Sequence, residues 1–289
     1  VNDIMAAGHR TTASNLTVNL HHLARMPEIQ QKVAEEVRGL KGKAPTFKDV
    51  QEGKLPYTQV RIGPLPNPNT VYPYKTDTFL SQSQRVVKES LRKYAPINLF
   101  PRLVEAPDVL PSGHKVKPGD FILLSSWAMG RNPRVWESPD TFDPDRFTEE
   151  NLRANAERLA LQSAGPNADR KEIELQMDRA TARISSGRDF TYTPFGSGPR
   201  SCIGGTFALL ATTVNLASMV QRFEFETDPT KDPGFELPFF YDTTITFPLG
   251  AHVLAKKRVV RLGTEKAEDE NAATKEQVKQ ESVRVASAR

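Results

Sequence analysis

Phe195-Gly196-Ser197-Gly198-Pro199-Arg200-Ser201-Cys202-Ile203-Gly204 decides how this chain is read. It holds the one cysteine among 289 residues, set among glycines and a proline. A helix-forming run, Phe207-Ala208-Leu209-Leu210-Ala211, follows it. The spacing predicts a rigid turn that presents one sulfur at the mouth of a helix. Unpaired N–H groups and the helix dipole there suit a negatively charged ligand atom. Such a sulfur serves as a soft metal ligand or a nucleophile. A lone cysteine is more commonly a small buried hydrophobe, so its neighbours have to decide between these readings.

Bulk composition narrows the field. Hydrophobic residues make up 38%, low for a folded domain, so some segments are expected to be solvated. The formal net charge is +4, and no clustered basic patch supports a nucleic-acid partner. No apolar run approaches the roughly 20 residues needed to span a bilayer. One cysteine excludes an intrachain disulfide. The five histidines, His9, His21, His22, His114 and His252, lack metal-ligand spacing. No phosphate-binding or dinucleotide glycine loop is present.

Residues 1 to about 26 read as a helix stopped by Pro27, and residues 28–39 as a second, amphipathic one through Ile29, Val33 and Val37. The first helix has a weak middle, Ala7-Gly8-His9-Arg10-Thr11-Thr12. Glycine and β-branched threonines there predict either a kink with back-bonded threonine or a groove where Thr11 meets a ligand. Residues 61–84 carry four prolines and no amphipathic period, which excludes regular helix. Val86 to Tyr94 reads as a helix with Glu89 and Arg92 on one face. Val104 to Leu124 alternates strand and turn signals. Ile173, Met177, Ala180 and Ile184 predict an amphipathic helix within 148–189. Phe223 to Glu226 alternates as a strand. Asp242 to Phe247 and His252 to Ala255 suggest a closing hairpin. Past Gly263 the charged, aromatic-free composition reads as a disordered tail or frayed helix, 264–289.

Phe195, Gly198, Arg200, Cys202 and Gly204 match F-x-x-G-x-R-x-C-x-G, and the loop thereby resembles the haem-ligand loop of the cytochrome P-450 family. Three further motifs stand in family order: Ala7 to Thr12 for the oxygen-activating helix, Glu89-Ser90-Leu91-Arg92 for E-x-x-R, and Pro144-Asp145-Arg146-Phe147 for P-x-R-F. The resemblance implies a mainly α fold with small antiparallel β-sheets, N-terminally truncated. Residues 1–255 would be the C-terminal part of one domain, with insertions at 61–84 and 148–189. It implies a haem cofactor (iron protoporphyrin IX) with Cys202 as the axial metal ligand, Arg200 and Arg102 as propionate partners, and Phe195 covering the sulfur's side of the ring. Gly198 and Gly204 would allow unusual dihedrals or close approach. Thr11 would be catalytic, serving dioxygen and relaying protons. Glu89, Arg92 and Arg146 would form a structural lock behind the loop.

One position departs from the pattern. Arg10 stands where the family has an acid, and arginine cannot release a proton at ordinary pH.

The implied activity is haem-thiolate monooxygenation of an apolar small molecule such as a carotenoid or a fatty acid. Electrons would come from an NADPH-dependent flavoprotein reductase or ferredoxin. The cysteine loop and Thr243 to Thr246 resemble the plant and algal carotenoid-hydroxylase branch, with fatty-acid hydroxylases a near rival. The endoplasmic reticulum membrane or a plastid is the implied setting, with membrane association through a missing N-terminal part. Two alternatives stand beside this reading. One is an enzyme that rearranges hydroperoxides, motivated by Arg10. The other is a truncated, non-catalytic haem-protein fragment.

Overall fold

The computed structural model describes residues 2–40, 43–51, 82–163, 169, 171, 173–174, 191–241, 244–247, 250–258 and 283–284. The first helix, α1, is Asn2–Arg25, one continuous α-helix through the Gly8–Thr12 stretch. Thr11 and Thr17 donate their hydroxyls to the carbonyls of Ala7 and Ala13, one turn back. These bonds absorb threonine's competition with the helix without breaking it. Pro27 opens α2 (Pro27–Arg38) at a position where its missing N–H costs nothing. The predicted stripe Ile29, Val33, Val37 is buried. A short α3, Phe47–Gln51, follows.

The next helix, α4 (Gln82–Lys93), starts four residues before the predicted Val86. Most of the proline-rich stretch 61–84 lies outside the described residues. Strands β1 (Leu99–Leu103) and β4 (Phe121–Ser125) pair antiparallel and enclose the small hairpin of β2 (Asp108–Val109) and β3 (Lys115–Val116). Gly113 and Gly119 turn there with φ of 82° and 91°, which favour glycine. Next comes α5 (Ser126–Gly130), capped by the Ser125 hydroxyl accepting from the Ala128 N–H.

Sequence reading missed α6, Glu149–Ser163. Its signals were present. The Thr148 hydroxyl accepts from the Asn151 N–H, a cap bond, and Leu152, Ala156 and Ala160 bury one face at four-residue spacing. The helix predicted through Met177, Ala180 and Ile184 lies outside the described residues.

After the cysteine loop, α7 (Gly205–Arg222) crosses the molecule. Main-core residues come from α1 (Leu20, Leu23), α2, α4 (Val86, Val87, Leu91) and α7 (Leu216, Ala217, Val220). The last sheet corrects one expectation. The strands of the expected closing hairpin separate. Strand β6 (Phe240–Tyr241) pairs with β7 (Ile245–Thr246), whereas β8 (Val253–Lys257) pairs with β5 (Phe223–Thr227). Burial decides the split. Phe225, Val253 and Ala255 join the main core, while Ile245 and Phe247 join a second cluster with Val18 and Tyr94. Of the tail 264–289, Val283 and Arg284 pair with Ala255 and Leu254 as β9 (Val283–Arg284), and its other residues lie outside the described ones. Among the described residues no helix is long and apolar enough to cross a membrane.

Candidate functional site

The cysteine loop is built from backbone geometry that few residues other than glycine adopt. Gly196 and Gly198 have φ of 68° and 75°. They fold the chain so that the Cys202 N–H donates to the Phe195 carbonyl at 2.8 Å. Gly196 N–H reaches Thr193 O at 3.1 Å, and Ser201 N–H reaches Gly198 O at 3.0 Å. Cys202, two residues before the helix-capping Gly204, is exposed. Gly204 has an ordinary φ of −90°, so close approach is what remains of its expected role. A Cβ there would sit 3.9 Å from the Cys202 sulfur. The tighter contact belongs to Gly205, which sequence reading passed over: a Cβ on it would lie 3.2 Å from the Phe195 ring. Phe195 packs on the main core and pins the loop.

Behind this loop the three predicted lock residues meet. Glu89 and Arg92 are fully buried side chains on α4, and Arg146 is nearly so. Arg92 donates from Nε and Nη2 to the two Glu89 oxygens at 2.7 and 2.8 Å, a bidentate pair. Glu89 Oε1 also accepts from Arg146 Nε at 3.3 Å and from the Asp143 N–H at 2.8 Å. The carboxylate's lone pairs are thus used fourfold. The arginines spend their other donors on carbonyls: Arg92 on Gly130 and Thr141, Arg146 on Glu137, Ser138 and Thr141. Arg92 also lies 5.6 Å from the Trp136 ring centroid.

The lock touches the loop's approach. Thr191 to Pro194 lines one small gap with Leu91, Arg92, Ser126 and Gly130. Tyr192 donates its hydroxyl to the Lys88 carbonyl at 3.0 Å. Burial, and then the nearby Glu89 charge, push that phenol well above its usual range. Sequence reading did not foresee Gly130 or Asp143, which act through shape and backbone, nor Tyr192, whose hydroxyl partner lies 104 residues away.

The remaining site residues lie on other elements. Thr11, half-buried on α1, donates its hydroxyl to Ala7 O at 2.6 Å. Arg10, exposed beside it, donates to Thr246 Oγ1 on β7 at 3.4 Å, and Ser14 donates to Ile245 O at 2.9 Å. Thus α1 holds β7 along the face that carries Thr11. Arg102, half-buried on β1, donates to its neighbour Pro101 O and lies 5.6 Å from the Phe100 ring centroid. Arg200 is exposed at the end of a 3-10 turn, Gly198–Arg200.

The profile of the cytochrome P-450 family matches residues 1–62 and 80–248. The chain belongs to the cytochrome P-450 family. Cytochrome P-450 4X1 of Rattus norvegicus is 30% identical over 81% of this chain and 35% of its own length. The chloroplastic carotene epsilon-monooxygenase of Arabidopsis thaliana is 29% identical over 86% of this chain and 34% of its own. The crystal structure of the cytochrome P450DA heme domain superposes with a TM-score of 0.61 at 24% identity, covering 89% of this chain and 43% of that one. The chain therefore spans about a third of the length of these curated relatives. Its fold is a truncated cytochrome P-450 fold, mainly α with small antiparallel sheets.

A cytochrome P-450 haem asks for a soft axial donor, cations for its propionates and apolar cover. The donor set here fits. The Cys202 sulfur is presented outward on a hydrogen-bonded loop. Arg200, exposed two residues before the sulfur, carries a guanidinium fork. Ile203 and Phe207, beside and after the sulfur, are exposed apolar side chains.

Proposed function

We propose that the chain is the haem-holding, C-terminal part of a haem-thiolate monooxygenase. The observation that carries this reading is the outward-facing Cys202 on a loop backed by the Glu89–Arg92–Arg146 cluster. Residues 1–255 belong to this one domain. The family match breaks between 62 and 80, which supports an insertion within 61–84. We read the stretch 148–189 as a second insertion from its length alone, since the family match runs through it unbroken.

Bound haem supplies dioxygen reduction and oxygen transfer; the chain supplies what surrounds it. Cys202 would hold the haem iron, and a thiolate there would supply electron density. Arg200 and Arg102 would pair with the propionates, and Phe195 would shield the sulfur. Gly198 and Gly204 would let the loop approach the ring. Thr11 would accept a hydrogen bond at its hydroxyl oxygen while its own hydrogen is given to Ala7 O, and it could pass that proton on only once the bond to Ala7 breaks. Arg10 beside it cannot supply the replacement proton, so ordered water would.

The substrate is an apolar small molecule, a carotenoid or fatty acid. One relative is named for carotene, and another, from Sus scrofa, is a taurochenodeoxycholic 6 alpha-hydroxylase. The electron donor is an NADPH-dependent flavoprotein reductase, or ferredoxin in a plastid.

Arg10 in the acid's place supports a second reading, rearrangement of a lipid hydroperoxide. Turnover of the haem-loaded protein separates the two. Product that requires both reductase and dioxygen is expected; product from lipid hydroperoxide alone would favour the second reading. Within the first, Arg10→Asp is expected to raise product formed per NADPH consumed severalfold, and Arg10→Gln to leave it unchanged. Equal coupling in both variants would remove proton supply as the consequence of Arg10.

A further inference from the structure

His21 and His22, adjacent near the end of α1, are both fully buried, and the chemistry above uses neither. The His21 ring is held between two partners. Its Nδ1 lies 2.9 Å from Arg25 Nη1, and its Nε2 lies 3.1 Å from the Phe235 carbonyl. A guanidinium only donates. Nδ1 must therefore accept, and Nε2 must carry the hydrogen that Phe235 receives. The arrangement works only with a neutral ring. Arg25 also ion-pairs with Asp232. The end of α1 thus grips the segment 228–237 at two points, Asp232 and Phe235.

His22 is equally intolerant of a proton. Its Nδ1 lies 2.9 Å from the Val18 carbonyl and so carries a hydrogen. Its Nε2 is buried with no hydrogen-bond partner among the described residues. The ring stacks on Phe142 at 3.9 Å and meets Phe235 edge-on at 5.4 Å. A second N–H would be stranded there at the full desolvation cost.

The charges packed around the pair do not relieve it. Arg25 on α1 and Lys93 on α4 are cations, and Arg131, after α5, lies 5.2 Å from the Tyr94 ring centroid. From the 228–237 segment come the carboxylates. Asp232 is taken by Arg25, and Glu236 by Lys93 and the Tyr94 hydroxyl. Asp140 faces Arg131 from the far side at 3.7 Å.

We propose that His21 and His22 form an acid-released clasp: protonating them frees the segment 228–237 from α1 and slackens the hairpin that this segment feeds. The path is short. Leu237 enters the second core cluster beside Val18, Ile245 and Phe247. Strands β6 and β7 follow, and β7 is the strand bonded to Arg10 and Ser14 on the Thr11 face. The clasp thus sets how firmly that hairpin lies over the candidate site.

The pH window follows from the ring's surroundings. Burial, then Arg25, lowers His21 from 6.5 to about 4. Burial lowers His22 as well. Above pH 6.5 the rings are neutral whether clasped or free, and the clasp carries no penalty. As pH falls from 6.5 toward 4, the free rings take protons that the clasped ones refuse, so closure weakens. His21 alone makes opening about tenfold more favourable at pH 5.5 than at pH 7.5.

Amide hydrogen exchange on the full chain tests this, with rates corrected for the intrinsic effect of pH. Protection over the described residues of 228–247 is expected to fall at least about tenfold more than over α2 between pH 7.5 and 5.5. His21→Gln keeps one donor and one acceptor without titrating, and is expected to remove about tenfold of the difference, leaving the share that belongs to His22. An equal fall in both segments of the unaltered chain would overturn the proposal. So would an unchanged difference in a folded His21→Gln variant. Proton NMR of the native His21 ring supplies a check that needs no variant. Titration near pH 6.5 with 228–247 still protected would contradict the clasp.

Discussion

Glu89→Ala is expected to destabilise the chain by about 3–5 kcal/mol, enough to send most of it to the insoluble fraction. The carboxylate is fully buried and accepts from Arg92 twice, from Arg146 and from the Asp143 N–H. Removing it leaves the Arg92 charge buried with no carboxylate partner among the described residues, against the Gly130 and Thr141 carbonyls and the Trp136 ring. The cost is that of a stranded charge more than of a lost bond. The double variant Glu89→Leu/Arg92→Met is therefore expected to lose less than the sum of the single changes. The exposed pair Lys256–Glu226 is the contrast, and breaking it is expected to cost about 1 kcal/mol or less. Urea unfolding measures all of these. A loss below about 1 kcal/mol for Glu89→Ala would mean that the cluster does not hold the fold.

Gly130→Ala is the second large effect, and a steric one. A Cβ there would sit 2.1 Å from the Arg92 carbonyl oxygen and 3.1 Å from its carbon. Both belong to the backbone of α4, so no side chain can swing aside. Either α5 or the end of α4 must move, and the Arg92 bond to the Gly130 carbonyl moves with it. The expected cost is about 3 kcal/mol, at the upper end for overpacking. Gly8→Ala is the matched control. Nothing among the described residues lies within 4 Å of its Cβ position, and it sits in the interior of α1. Helix propensity alone then makes that change stabilising by about 0.5–1 kcal/mol. Thermal unfolding of both variants in parallel checks the pair of signs. A neutral Gly130→Ala would mean that α5 does not press on α4.

What could be read from the letters was whatever depends on residue type at short spacing. A sulfur between glycines, Glu89 three residues before Arg92, and the stripe of α2 are local statements, and local statements survive into three dimensions. The meeting of Arg146 with Glu89 spans 57 residues, and it was legible only through the family resemblance. Gly130 and Asp143 contribute a missing side chain and a backbone N–H, which composition does not advertise. The expected closing hairpin failed because alternation marks a strand but not its partner; Val253 and Ala255 went to β5, where the larger core was. His21 and His22 were weighed only for metal-ligand spacing. Their partners, the Phe235 carbonyl and the Phe142 ring, stand more than 100 residues away.

The account rests on the Cys202 sulfur as ligand to haem iron. The absorption of the haem-loaded full chain, reduced and saturated with carbon monoxide, tests that bond most directly. A thiolate-type band is expected from the unaltered chain, and its loss is expected in Cys202→Ser. The same band from the serine variant, or no such band from the unaltered chain, would contradict it.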